Sequence, residues 1–483
     1  MNISGKEAGA AASTSTSAST NAGASVGASA RAGSIRTLIT SRLTSGGGAS
    51  FLINSIGMGL AMLLQIALAR ILGVKDYGIY AFVTTVVTFM VFPAKLGFDT
   101  TTVKLVSAYR VKGDWPLIKG LLRRSNQIGL TLSILAAIIG IAVVAWMDWG
   151  SGGQGSGEGH AKTFAYIAGF AAIPLLTLAT LRQSALQAMK DALFAQMPEK
   201  IIRPVLTIAF VAALGGAGVE LSAAIALLCY LLATAVTYVI GAIVLNKRIG
   251  AQTAAVAASY ETRGWLRLSS SLMVNAGMYL ILGQLNVLMM GFMRGETESG
   301  LFSAAVRLAV LVSFMLTAVN MTASPLVSEK FAKGDMAGLQ RVCIRTGRIG
   351  FAFAAVVFAY FVVLGHWTLG LFGPEFTQAY PSLLILAFGQ LFSAYCGQNG
   401  TVATMTGRQN ALTKILIAAA VVNAALNALL IPMLGMLGGA LAATLSIIVW
   451  NSAAVLLVSR KPGVQTLAWA PKLAFARKRR NDS

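Results

Sequence analysis

Charge is what this chain mostly lacks. Asp, Glu, Lys and Arg make up 11% of its 483 residues, about half the share usual in a soluble domain. Carboxylates are the scarcer kind, 16 against 38 Lys and Arg, and His occurs only twice. His160 and His366 stand in no metal-ligand spacing with another His, Cys or carboxylate, so no metal site and no catalytic constellation is visible. The three cysteines, Cys229, Cys343 and Cys396, show neither metal nor disulfide spacing and read as core thiols. Connections between apolar runs are short, and the largest, 247–267, has no room for an enzymatic domain. These scarcities argue against an enzyme and against any cofactor. Residues 1–34 also lack the apolar core of a signal peptide, and their Ala, Ser, Gly and Thr content reads as disorder.

Apolar side chains are abundant. Hydrophobic residues make up 56% of the chain, and the mean hydropathy is +0.73. The few charges are clustered, which leaves runs of bilayer-spanning length, about 20 residues each. Twelve are read, at 50–70, 78–102, 126–147, 163–181, 201–219, 221–246, 268–293, 300–325, 349–371, 382–403, 411–431 and 435–459. In hydrocarbon the backbone must bond to itself, so runs this long are helices. The short alternating strands of a membrane barrel are absent. The expected fold class is therefore an all-α integral membrane protein with about 12 transmembrane helices.

Basic residues orient those helices. With a cytoplasmic amino terminus, the Lys and Arg fall on the cytoplasmic side except Arg70, Lys75, Lys162 and Arg294 outside, and Lys95 and Arg307 within the membrane. That is the positive-inside pattern, and it puts both termini in the cytoplasm. The net charge of +22 then reflects topology and contact with anionic membrane lipids, not nucleic-acid binding.

The chain also repeats itself. Leu105, Val106, Ser107, Lys112, Gly113 and Asp114 recur at one offset as Leu326, Val327, Ser328, Lys333, Gly334 and Asp335. Shifted by one residue, Gly73, Gly78 and Tyr80 are echoed by Gly295, Gly300 and Phe302. So long a period means two structural halves. Six helices in each half make the repeat parallel, with a substrate path between the lobes. The expected organisation is a disordered cytoplasmic tail (1–35), an N-lobe with spans 1–6 (36–247), a cytoplasmic linker (248–266), a C-lobe with spans 7–12 (267–460) and a basic cytoplasmic tail (461–483).

Charges inside a bilayer face a partner or a wet cavity, because each costs at least about 2.5 kcal/mol near the centre. Lys95 and Asp99 in span 2 are spaced i, i+4 and should share a helix face. They form either a local ion pair that lets the helix insert, or a pair on a cavity wall with Lys95 offered to an anion. Arg307 stands about two turns into span 8, where it either snorkels to the interface or grips an anion such as phosphate. Gln65, Asn275, Gln284, Asn286 and Asn320 are polar residues within spans, open to roles as interhelical glue or as cavity lining.

Three stretches carry a family resemblance. Ala69-Arg70-Ile-Leu-Gly73-Val-Lys-Asp-Tyr77-Gly78-Ile-Tyr80 resembles the first hairpin of bacterial polysaccharide transporters, Leu96-Gly-Phe-Asp99-Thr-Thr-Thr-Val-Lys104 the close of their second helix, and Gly300-Leu-Phe-Ser-Ala-Ala-Val-Arg307-Leu the start of their eighth. These are the O-antigen and exopolysaccharide repeat-unit flippases of the multidrug/oligosaccharidyl-lipid/polysaccharide (MOP) exporter superfamily. The likeness runs over about residues 36–460. It implies a MATE-like transporter fold whose two lobes enclose a cavity opening alternately to each side of the bacterial inner membrane. The implied cargo is an undecaprenyl-diphosphate-linked oligosaccharide, and the implied partners include membrane lipids and polysaccharide polymerase machinery. Arg307 and then Lys95 would contact the anion, with Asp99 as charge partner or coupling group. Family members often carry an acid where Asn286 stands, so a carboxylate ion site on span 7 is not expected here. The rival readings are a cation-coupled multidrug exporter, a lipid II flippase, and a non-transporting scaffold of the envelope assembly machinery.

Overall fold

The computed structural model describes residues 46–150, 157–189, 191–254, 256–460 and 463–469. The chain divides into two units, Met1–Ala49 and Ser50–Ser483, and everything below concerns the second. The tail read at 1–35, and 461–483 apart from 463–469, lie outside the described residues.

Among the described residues regular structure is entirely helical, as expected of backbone that has no water to bond. In chain order the helices are α1 (Gly46–Ala94), α2 (Phe98–Lys112), α3 (Trp115–Gly150), α4 (Gly157–Ala171), α5 (Ile173–Ala188), α6 (Ala192–Met197), α7 (Arg203–Gly216) and α8 (Ala223–Ala254). The second half holds α9 (Thr262–Arg294), α10 (Glu296–Ala332), α11 (Met336–Gly370), α12 (Tyr380–Cys396), α13 (Asn399–Met405), α14 (Gln409–Leu434) and α15 (Met436–Arg460). A π-helical turn, Pro198–Ile202, joins α6 to α7, and a 3-10 turn, Pro374–Ala379, precedes α12.

Among the described residues, ten helical segments are long and apolar enough to cross a membrane. Two features bring the passes to the twelve read from the sequence. First, α1 holds two passes, because Gly73 at φ 73°, ψ 176° breaks it into a hairpin. Second, α7 is short alone, but the rod Ala192–Gly216 runs about 37 Å at 1.5 Å per residue. That rod starts well before residue 201, so the fifth pass carries charges that the sequence reading assigned to a loop.

The duplication is visible in the backbone. Gly295, between α9 and α10, has φ 92° and ψ 171°, nearly the conformation of Gly73. Only glycine adopts such a backbone without strain, which explains its return at both hairpins. Likewise Gly113 and Gly334 close α2 and α10 at φ 74° and 69°. After Gly334, Asp335 caps α11 by accepting from the Gly338 N–H at 2.7 Å and pairs with Lys330 at 2.8 Å. The Lys330 ammonium and that N–H hold its carboxyl below the usual Asp range.

Each half is tied at its basic end by the segment that follows its last helix. After α8, the Ser259 N–H donates to Pro116 O at 3.0 Å and Lys119 Nζ donates to Val256 O at 2.9 Å. The fit is so close that a Cβ at Gly120 would fall 1.7 Å from Ser259 O. After α15, Gln340 and Gln465 exchange two hydrogen bonds of 2.7 and 2.8 Å, and the Ala468 N–H donates to Tyr395 O at 2.9 Å. Residues 256–261, between α8 and α9, are thus a docked strap on α3, and residues 463–469 are its counterpart on α11. Cys229, Cys343 and Cys396 are all free and buried.

Candidate functional site

A cavity of about 570 Å³ lies between the halves, lined from α1, the π turn and α7, α8, α9 and α10. Four charged residues line it: Lys200, Arg203 and Arg307 are basic, and Glu199 is acidic. The π turn explains how the fifth pass delivers three of them. Such a turn widens the helix by one residue per turn and is common at functional sites. Here it directs Glu199, Lys200 and Arg203 at one wall. Arg203 Nη1 meets Glu199 Oε2 at 2.5 Å, which uses up the acid, and its guanidinium lies 5.4 Å from the Tyr230 ring centroid. Lys200 donates to Asn54 Oδ1, and Asn54 Nδ2 donates to Gln196 Oε1 at 2.9 Å. Across the cavity, Arg307 Nε donates to Ser303 Oγ at 3.3 Å. Next to it Tyr77, wholly buried, donates to Gln65 Oε1 at 3.2 Å. With Glu199 neutralised by Arg203, the wall keeps an excess of positive charge.

The structure sorts the residues singled out by sequence. Arg307, Gln65 and Gln284 line the cavity. Lys95 and Asp99 do not. Their Nζ–Oδ2 contact is 2.5 Å, and the Asp99 carboxylate also accepts from the Thr100 N–H at 2.8 Å. Nor do they share one continuous helix face, as the spacing predicted. Residues 95–97 are a turn between α1 and α2, with Leu96 at φ 51° and Gly97 at φ 73°, and the ion pair bridges that break. Asn286 is not at the cavity either. It accepts from Asn423 at 3.1 Å and Asn427 at 2.7 Å in a buried amide cluster joining α9 to α14. Asn320 lines a different cavity, and the Asn275 side chain lies outside the described residues. The sequence reading missed Lys200 and Arg203, which it counted among the cytoplasmic bases. The i, i+4 spacing of Glu199 and Arg203 at the edge of an apolar run was the available signal.

At the Gly73/Gly295 end the halves touch. A Cβ at Gly300 would lie 2.5 Å from the Gly78 Cα, so the two repeat-related glycines are in direct contact. Around them, Arg70 Nε donates to Leu371 O at 2.7 Å, and Tyr77 packs edge to face on Phe376 at 5.4 Å. Glu296 takes an ion pair from Lys162 at 2.7 Å and a hydrogen bond from the Tyr166 hydroxyl at 3.0 Å. The lining extends away from this end, past Arg307 to Thr317, Asn54 and Lys200.

A family model described as polysaccharide biosynthesis protein matches residues 43–331, more than half of the chain. The chain belongs to that family. The match takes in the whole cavity wall from α1 to α10, including the π turn and Arg307. An uncharacterized membrane protein of Methanocaldococcus jannaschii is 28% identical over 180 residues, a match that spans 34% of this chain and 34% of that relative. Solved structures show the fold. An inward-facing multidrug resistance MATE family transporter of the MOP superfamily superposes with a TM-score of 0.65 at 14% identity, covering 85% of this chain and 98% of that one. Lipid II flippase MurJ, in an inward closed conformation, gives 0.64 at 13%, covering 84% and 87%. The chain is thus an all-α membrane protein with the fold of those transporters, and its basic cavity occupies the interface between the halves.

Proposed function

We propose that this protein is an alternating-access flippase that carries a diphosphate-linked oligosaccharide on an undecaprenyl lipid from the cytoplasmic to the outer leaflet of the bacterial inner membrane. The observation that carries this reading is the excess of Lys200, Arg203 and Arg307 over Glu199 in a chain otherwise poor in charge. Bases held in a low-dielectric cavity offset the loss of water from a diphosphate, and guanidinium groups bind it through parallel hydrogen bonds. The family description and the fold shared with a lipid II flippase support the same class of cargo. With the basic face cytoplasmic, the cavity lies towards the cytoplasm and the glycine contact closes the outer end. Such a state receives cargo from inside.

A cation-coupled multidrug exporter would need a carboxylate free to meet a cationic drug. Glu199 is bound to Arg203 at 2.5 Å, which disfavours that reading. A non-transporting scaffold would need no charge in the cavity. Arg307→Glu and Arg203→Glu, each placed beside the remaining bases, should cut flipping in reconstituted vesicles by at least about tenfold, as expected when a charge-assisted contact becomes repulsive. Flipping at wild-type rates in both variants, at equal protein levels, removes the anion from the cavity and ends this proposal.

A further inference from the structure

One buried side chain, Tyr77, spans the layer between the basic cavity and the contact of the halves at the Gly73/Gly295 end. It is not part of the cavity lining, but two residues that are, Gln65 and Arg307, meet its hydroxyl. A phenol donates one hydrogen bond and accepts others. Tyr77 uses its donor on Gln65 Oε1 at 3.2 Å, so Arg307 meets an oxygen that is left to accept. The ring serves the other side. It packs edge to face on Phe376 of the second half at 5.4 Å, and its Cδ1 lies 3.6 Å from where a Cβ on Gly300 would stand. The next residue, Gly78, is the one on which Gly300 presses. A tyrosine side chain turns about only two torsions, so its hydroxyl cannot move far without its ring. The arrangement is no by-product of the repeat. The matching position in the second half is Ser299, whose Oγ donates to Val287 O at 3.0 Å within its own hairpin.

An anion entering the cavity competes for Arg307. Phosphate oxygens take guanidinium N–H groups in parallel, charge-assisted bonds that are about twice as strong as those to a neutral oxygen. The phenol oxygen therefore loses its cationic neighbour when the anion arrives. A ligand shifts a conformational equilibrium only through its different affinity for the two states. Here the difference is the Arg307–Tyr77 contact, which accompanies the touching halves and is given up to the anion. We propose that Tyr77 is a positioning residue that couples cargo binding to the contact of the halves. A diphosphate drawing Arg307 away from the phenol oxygen frees the ring from Phe376 and Gly300 and lets the halves part at that end. The proposal rests on the flippase reading above and adds how an occupied cavity is sensed at the Gly73/Gly295 end.

The test uses full-length protein in lipid nanodiscs, with Cys229, Cys343 and Cys396 replaced by Ala. Spin labels are placed at Ala217→Cys and Gln378→Cys, exposed positions beside the α1 hairpin in the first half and beside Phe376 in the second. The probe is glucose joined to geranylgeraniol through a diphosphate. With Tyr77 in place, the probe should lengthen the label-to-label distances read by double electron–electron resonance. Tyr77→Phe keeps the ring and removes the oxygen. In that variant the longer distances should be populated without probe and change little when it is added. Because coupling is reciprocal, the probe should also bind the variant at least about fivefold tighter. A side chain that only packs would leave the distances dependent on the probe. A probe-induced lengthening in Tyr77→Phe equal to that with Tyr77 overturns the coupling, as does binding that is no tighter. So does bound probe that leaves the distances with Tyr77 unmoved, a measurement that needs no variant at this position. Arg307→Gln reports separately on the flippase reading: it should weaken the probe. If it does not, or if the protein with Arg307 binds no probe, that reading fails and the coupling falls with it. Binding that depends on Arg307 while the distances stay fixed sinks the coupling alone.

Discussion

Arg307 was legible in the sequence because it interrupts an apolar run well inside its ends, where a charge must have a reason. Lys200 and Arg203 were not, because they stand at the start of the apolar run read at 201–219 and were counted among the cytoplasmic bases. Only the π turn shows that the helix has already begun and that both bases face inward. The Lys95–Asp99 pair was legible as a pair from its spacing, but not as a clasp across a helix break. Leu96 at φ 51° is a conformation that residue spacing does not announce. As a clasp, it predicts an asymmetric mutational response. Lys95→Met leaves a mostly buried carboxylate alone and should cost about 2 kcal/mol of stability. The double variant Lys95→Met/Asp99→Asn should recover most of that loss in thermal unfolding. A double variant no more stable than the single one would show that the pair does not hold the break.

Among the elements, the long helices followed directly from apolar run length, and the doubled hairpins followed from the recurrence of Gly73 and Gly78 as Gly295 and Gly300. The straps at 256–261 and 463–469 could not be read in advance. They are held by backbone carbonyls and amide side chains, which leave no periodic pattern. The Lys-Gly-Asp repeat was visible, and the structure gives its physical purpose in the second half: glycine ends α10 and aspartate starts α11. Since Asp335 is held below its ordinary value of 3.8 by Lys330 and the Gly338 N–H, its ionised form favours the folded state. Its contribution is complete above that value and disappears as pH falls through the depressed one. Asp335→Ala should therefore lower the Tm at neutral pH, and the gap from wild type should close in scans run below the ordinary Asp range. A gap that persists at low pH would assign the effect to something other than the carboxylate.

For the molecule as a whole, the distribution of Lys and Arg suggested an orientation, and the repeat suggested two facing halves. Neither could say at which end the halves meet. That is decided by atoms a sequence does not rank, above all the missing side chains of Gly78 and Gly300. Gly300→Val should force the closed end apart, because even its first carbon would sit 2.5 Å from the Gly78 Cα. With Thr85→Cys in the cavity wall as reporter, labelling by a membrane-impermeant thiol reagent from the closed side should rise in that variant. Gly283→Val, at a helical glycine with nothing within 4 Å, should not change it. Unchanged labelling in Gly300→Val would mean that this contact does not seal the path.

The Gly78–Gly300 contact also constrains how such a chain can change over time. Two positions that match across the repeat press on each other. Neither is free to drift, since bulk acquired by one cannot be relieved by its twin, which has nothing left to give up. Duplication usually hands a protein a spare to experiment with; at this point on the axis it produced a pair of sites that are obliged to stay minimal together.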